Sequence, residues 1–123
     1  MHRKILIIVV FLLVLSGCKK NTVLVESYKM SNQIFETMRS YTEQGIYEID
    51  SSKKQLIIYR GVEKGIQTMS YSVQNNVLTI VFETEKLNQP QDYVYKINSN
   101  HLFETIEITI DGKEEAFNTI FVQ

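Results

Sequence analysis

The chain has 123 residues, a formal charge of −1, one cysteine, one proline and no tryptophan. That length suits a single domain with one modest core. The near-neutral charge excludes the concentrated basic patch that nucleic acid requires, and a lone cysteine excludes an internal disulfide, so apolar burial has to carry stability.

The basic pair Arg3-Lys4 is followed by an uninterrupted apolar run from Ile5 to Leu15 and then by the small residues Ser16 and Gly17. A positive start, a short apolar stretch and small residues at a cut site make an export signal. Eleven apolar residues rise only ~16 Å as a helix, about half of a hydrocarbon core, which argues against a stable spanning segment. A plain secretory signal would leave Cys18 as a free thiol in an oxidising compartment, and lipidation accounts for it better. Leu15-Ser16-Gly17-Cys18 resembles the lipobox of bacterial lipoproteins. The resemblance implies cleavage between Gly17 and Cys18, a diacylglycerol on the Cys18 sulfur, and an acyl chain such as palmitate on its amino group. It also implies a membrane partner and a location on the extracytoplasmic face of the cell membrane. At ~0.8 kcal/mol per buried methylene, paired acyl chains are enough to hold a small domain at a bilayer. Removal of residues 1–17 takes away Arg3 and Lys4, leaving 11 basic residues against 14 acidic ones and a charge of about −3.

Residues 18–30 read as the lipidated N-terminus and a tether. Val23-Leu24-Val25 either begins a short strand or belongs to that tether, and without a Gly/Ser or Pro run the spacer is short, so the domain rides close to the membrane. Residues 31–44 carry apolar side chains at Ile34, Met38 and Tyr41, the i, i+4, i+7 spacing of one helix face, with Ser31 or Asn32 as cap and Gly45 just past the end. From Gly45 the period changes to two. Ile46 to Ile49 reads as a strand, Asp50 to Lys53 as a turn, and Leu56-Ile57-Ile58-Tyr59 as a strand buried on both faces. Gly61 and Gly65 bracket a loop. Met69, Tyr71 and Val73 alternate with Thr68, Ser70 and Ser72, Asn75-Asn76 reads as a tight hairpin turn, and Leu78, Ile80 and Phe82 point inward on the return strand.

A polar interruption over residues 85–91 holds the one proline, Pro90. Tyr93 to Ile97 is the next strand and Asn98 to His101 a turn. Ile106, Ile108 and Ile110 alternate with Thr105, Glu107 and Thr109, Asp111-Gly112 is a hairpin signal, and Ala116 to Val122 closes the chain. The expected fold is α+β and mostly antiparallel β: one N-terminal helix on a meandering sheet of about seven strands, curled into an open barrel or folded as a small sandwich. The expected organisation is a signal peptide over residues 1–17, lipidated N-terminus and tether over 18–30, and a single β-rich domain over 31–123.

The residues offer little for chemistry. Past residue 17 the only histidine is His101, placed in a polar turn, and Cys18 is committed to lipid, so no base stands beside a nucleophile. Zinc-ligand spacing is absent, and Asp111-Gly112-Lys113-Glu114-Glu115 lacks the regular oxygen ligands of a calcium loop, so no metal or other cofactor is expected. For a carboxylate pair, Glu104 and Glu107 fall on opposite strand faces, while Glu83 and Glu85 share a face at a strand end, where charges discourage edge pairing. Tyr59, Tyr71, Tyr93 and Tyr95 form a candidate partner surface, since alternating strand tyrosines share a face and tyrosine suits binding sites; the same rings also fit the rim of a small core. Exposed strand edges offer a second route to a partner, by strand addition.

These readings converge on a membrane-anchored lipoprotein acting as a non-enzymatic binding or interaction module, with a cell-envelope hydrolase using a cryptic carboxylate site as the rival. In size, signal and β-rich domain the chain resembles small lipoproteins of low-GC Gram-positive bacteria, some carried on integrative conjugative elements. The resemblance implies a role in entry exclusion through contact with an envelope or conjugation-machinery protein.

Overall fold

The structure, a computed structural model, describes residues 23–51, 54–100 and 102–123. The export signal, Gly17-Cys18, the start of the tether and His101 lie outside the described residues. In chain order the elements are β1 (Leu24–Ser27), α1 (Asn32–Met38), β2 (Gly45–Asp50), β3 (Gln55–Gly61), β4 (Lys64–Gln74), β5 (Val77–Lys86), β6 (Gln91–Asn98), β7 (Thr105–Ile110), β8 (Lys113–Glu115) and β9 (Thr119–Val122).

The fold is mostly β, but its strands do not form one seven-stranded meander. They divide into a five-stranded sheet ordered β1-β6-β3-β2-β9 and a four-stranded sheet ordered β4-β5-β7-β8, with no closed barrel among the described residues. Among the described residues only β2–β3, β4–β5 and β7–β8 are hairpins between consecutive strands, and two pairings, β2 with β9 and β5 with β7, are parallel. The turns that join two of the hairpins follow from local stereochemistry. Asn75 and Asn76 take φ of 53° and 66°, and Asp111 and Gly112 take 51° and 83°, the pair of positive angles a two-residue hairpin turn requires. The remaining pairings match apolar faces over long stretches of chain, which no local signal encodes.

The two sheets face each other across a core that joins Ile46, Ile57, Tyr59, Tyr95 and Ile97 of the first to Leu78, Ile80, Phe82 and Ile108 of the second. The other face of the five-stranded sheet carries Tyr47, Ile49, Leu56, Ile58 and Val94, covered by Ile34 and Met38 of α1. The molecule is therefore three layers thick, with β3 in the middle layer. Ile57 and Ile58 point in opposite directions and both are 0% exposed, which is why Leu56 to Tyr59 shows no alternation in sequence.

The helix is shorter than its periodicity suggests. Ser31 Oγ accepts from the Ile34 backbone N–H as an N-cap, but the helix stops at Met38 rather than running to residue 44. Tyr, Thr and Phe are mediocre helix formers, and the helix end is satisfied from elsewhere. The Arg60 guanidinium donates to the Met38 carbonyl at 3.2 Å and also to the Tyr41 carbonyl. Arg60 is in turn held by both oxygens of Asp92, at 2.8 and 2.7 Å. A cation here serves the orphan carbonyls and the negative end of the helix dipole together. Beyond the helix, Tyr41 packs edge-on against Phe121 and Tyr47, with centroids 5.0 and 6.0 Å apart. Gly45 is not a helix cap but opens β2, where a Cβ would collide with the Asn118 side chain that accepts from the Ile46 N–H.

The two-sided burial of β3 predicts that Ile57→Ala and Ile58→Ala each destabilise the fold by about 2–5 kcal/mol, whereas Phe35→Ala on the exposed flank of α1 changes stability by under about 1 kcal/mol. Urea unfolding followed by circular dichroism measures all three.

Candidate functional site

The residues with site potential fall at the two ends of the strands. At one end β2 finishes at Asp50, β3 begins at Gln55, β6 finishes at Asn98 and the chain enters β1. At the other end lie the β3–β4 turn, the end of β5 and the β7–β8 hairpin.

The tyrosines do not assemble an open patch. All four sit on the face turned between the sheets. Tyr59 and Tyr95 are buried core residues, so this corrects their assignment to a partner surface; Tyr71 and Tyr93 are half-buried against them. Tyr93, Tyr59, Phe82 and Tyr95 form a chain of ring contacts with centroids 5.6–6.0 Å apart. Two of the hydroxyls are spent internally: Tyr59 donates to the Lys64 carbonyl at 3.0 Å and Tyr71 reaches the Val23 carbonyl at 3.5 Å. Opposing a second sheet, rather than solvent, is what turned an aromatic face into core.

The carboxylates weighed in sequence, Glu83, Glu85, Glu104 and Glu107, are exposed. The acid pair that does form is Glu48 with Asp50, two residues apart and so on one face of β2. Glu48 is 5% exposed and Gln55, directly across the β2–β3 hairpin from Asp50, is 1% exposed. Gln55 Nε2 donates to Glu48 Oε2 and to the Phe103 carbonyl, each at 2.9 Å, and Gln55 Oε1 accepts from the Phe103 N–H at 3.0 Å. One buried amide thus ties the β6–β7 connection to the centre of the five-stranded sheet. Removal from water, reinforced by the neighbouring Asp50 carboxyl, pushes the Glu48 pKa up to about 8, against the opposing pull of the Gln55 N–H. Asp50 Oδ1 is buried without a hydrogen-bond partner among the described residues, and the neighbouring Glu48 carboxyl is able to donate to it only when protonated. Sequence reasoning passed over this pair because Ile46-Tyr47-Glu48-Ile49 looks like an ordinary strand with one polar side chain outward. The available signal was the unbroken apolar run of the neighbouring strand, which implies that β2 is covered too.

The opposite end is open. A cleft of about 470 Å³ between the sheets is lined by Gln44, Tyr59, Lys64, Thr84, Asp111 and Asn118, among others. Its rim is held by side chains standing in for backbone. Gln44 Oε1 accepts from three consecutive N–H groups, those of Val62, Glu63 and Lys64, at 2.8–3.0 Å. The Asp111 carboxylate accepts from the Thr84 N–H at 2.9 Å and the Thr84 hydroxyl at 2.6 Å, and these bonds hold its pKa below the usual value. Asp111 is therefore engaged in closing a hairpin. Among the described residues no three His, Cys, Asp or Glu side chains gather as metal ligands, and no helix is long and apolar enough to cross a membrane.

No family model, curated protein or solved structure matches the chain.

The acid pair makes a pH-dependent prediction. A glutamate whose folded pKa is raised binds its proton more tightly folded than unfolded, so its contribution is present below about pH 4.5 and is lost as pH rises toward about 8. Thermal unfolding is expected to show stability falling across that interval. Glu48→Gln, which keeps a donor toward Asp50 without a titration, is expected to flatten the dependence and to raise the melting temperature above wild type at pH 8.

Proposed function

We propose that this chain is an extracytoplasmic lipoprotein, held at a membrane by lipid on Cys18, whose two-sheet domain is a non-enzymatic binding module that meets its partner at the open end of the sheets. The observation that carries the reading is the short distance in sequence between the lipobox and the fold. Leu24, where β1 already pairs with Asn98 of β6, is six residues after Cys18, a reach of at most ~20 Å. A lipid on Cys18 would hold the β1 end of the domain near the headgroups and present the cleft lined by Gln44, Lys64 and Asp111 outward. A more specific form of this reading is entry exclusion, in which the outward end would contact mating machinery arriving from another cell.

A second reading, an envelope hydrolase, draws on Glu48 and Asp50: a desolvated acid beside a second carboxyl is the composition such chemistry uses. The burial of Glu48 between the sheets and its tie to Gln55 favour a structural role instead.

Expressed in a Gram-positive host, the wild-type chain is expected to incorporate labelled palmitate and sediment with membranes, and Cys18→Ala to lose the label and shift to the soluble fraction. Unchanged partitioning of Cys18→Ala would refute the anchor. A wall-degrading activity of the purified domain that disappears in Glu48→Gln would favour the hydrolase.

A further inference from the structure

The end of the domain where the chain enters β1 carries a ring of exposed aliphatic side chains. In the five-stranded sheet the register aligns Val25, Ile97, Gln55, Asp50 and Val122 in one row, with Leu24 one residue beyond it. In the four-stranded sheet Val73 pairs with Leu78, which pairs with Ile106. The contact between the Tyr71 hydroxyl and the Val23 carbonyl brings that stretch of β4 to the same end. Leu102 lies in the link from β6 to β7, next to the Phe103 that Gln55 holds. Leu24, Val73 and Leu102 are 42–46% exposed and Val122 is 81% exposed. These residues come from four separate segments, and none completes the core of its own sheet.

We infer that this end is a membrane-contact surface, on which Leu24, Val73, Leu102 and Val122 rest among lipid headgroups. The inference builds on the lipoprotein reading and adds an orientation to it. Three observations select a bilayer as the occupant. The first is reach: with Leu24 six residues from Cys18, this end of the domain stays within ~20 Å of the lipid. The second is charge. Lys19 and Lys20 adjoin the attachment point in sequence and exposed Lys54 joins Glu26 and Glu104 at the tether end, whereas at the far end Glu43, Glu63, Glu85, Glu114 and Glu115 outnumber Lys64, Lys86 and Lys113, a balance that anionic headgroups repel. The third is energetic. A handful of partly exposed aliphatic side chains is too weak to bring a free domain to a membrane, but a short tether turns the contact into an intramolecular one at millimolar effective concentration, where weak binding is populated.

The chain has no tryptophan, so one introduced indole reports its own surroundings. Protein starting at Cys18 is coupled through that thiol to maleimide lipid in vesicles of phosphatidylglycerol and phosphatidylethanolamine, with and without brominated acyl chains. Three variants are compared: Leu102→Trp and Val122→Trp at the tether end and Val62→Trp at the far end. The expected result is a blue-shifted emission and about twofold or greater bromolipid quenching for Leu102→Trp and Val122→Trp after coupling, with neither change for Val62→Trp, consistent with a surface seated at headgroup depth. Emission that stays unquenched at both tether-end positions in protein shown to float with the vesicles would overturn the inference, as would equal quenching at Val62→Trp. Because the lipid is attached chemically, these outcomes are independent of whether cells lipidate Cys18, which palmitate labelling tests.

Discussion

A strand with no water on either side has to find a partner for every polar atom it carries, and β3 is that strand here. Its centre, Leu56 to Tyr59, supplies apolar surface to both layers that cover it. Its polar residues stand at its two ends, and each organises what surrounds it. Gln55 binds Glu48 on one neighbouring strand and both backbone groups of Phe103 on the β6–β7 connection. Arg60 binds Asp92 on the other neighbouring strand and the carbonyls at the end of α1. The same demand for satisfied polar groups therefore positions the inter-sheet link at one end and terminates the helix at the other.

This arrangement separates the two ends in character. Near Gln55 the polar groups of the sheet interior are buried, and Leu24, Val73, Leu102 and Val122 are exposed. Near Arg60 the sheets part, loops are pinned by Gln44, Asp111 and Asn118, and carboxylates outnumber the lysines Lys64, Lys86 and Lys113 at the surface. A domain polarised in this way has a natural up and down, which fits attachment from one side only.

Local chemistry was readable from the residues alone. Asn75-Asn76 and Asp111-Gly112 form hairpin turns because those residue types tolerate positive φ, and the inward faces of β5 and β7 follow from strict alternation. What lay beyond reach was set by residues distant in the chain. The helix face predicted over residues 31–44 is cut at Met38 by a guanidinium 22 positions further on. The tyrosine face became core because a second sheet, paired through β5 and β7 in parallel, covers it. Glu48 looked like a solvated strand residue because its own strand reads as an ordinary alternation, and the sign that it is covered lies in the apolar run of β3, Leu56 to Tyr59. The proposed lipidation of Cys18 would be a matter of enzyme recognition rather than of packing, and only the short motif Leu15-Ser16-Gly17-Cys18 points to it.

The parallel pairing of β9 with β2 has a kinetic consequence. Ile46 and Asn118, joined by a hydrogen bond, are 72 residues apart, and Gln55 reaches Phe103 across 48. Closing such long loops before any local reward is collected slows folding. For a polypeptide threaded through a translocation channel, as the proposed reading requires, slow assembly is an advantage. Neither outer pairing of the five-stranded sheet, β1 with β6 or β2 with β9, can form until late in synthesis, so under that reading the emerging chain would stay pliable during passage and set its final shape on the far side.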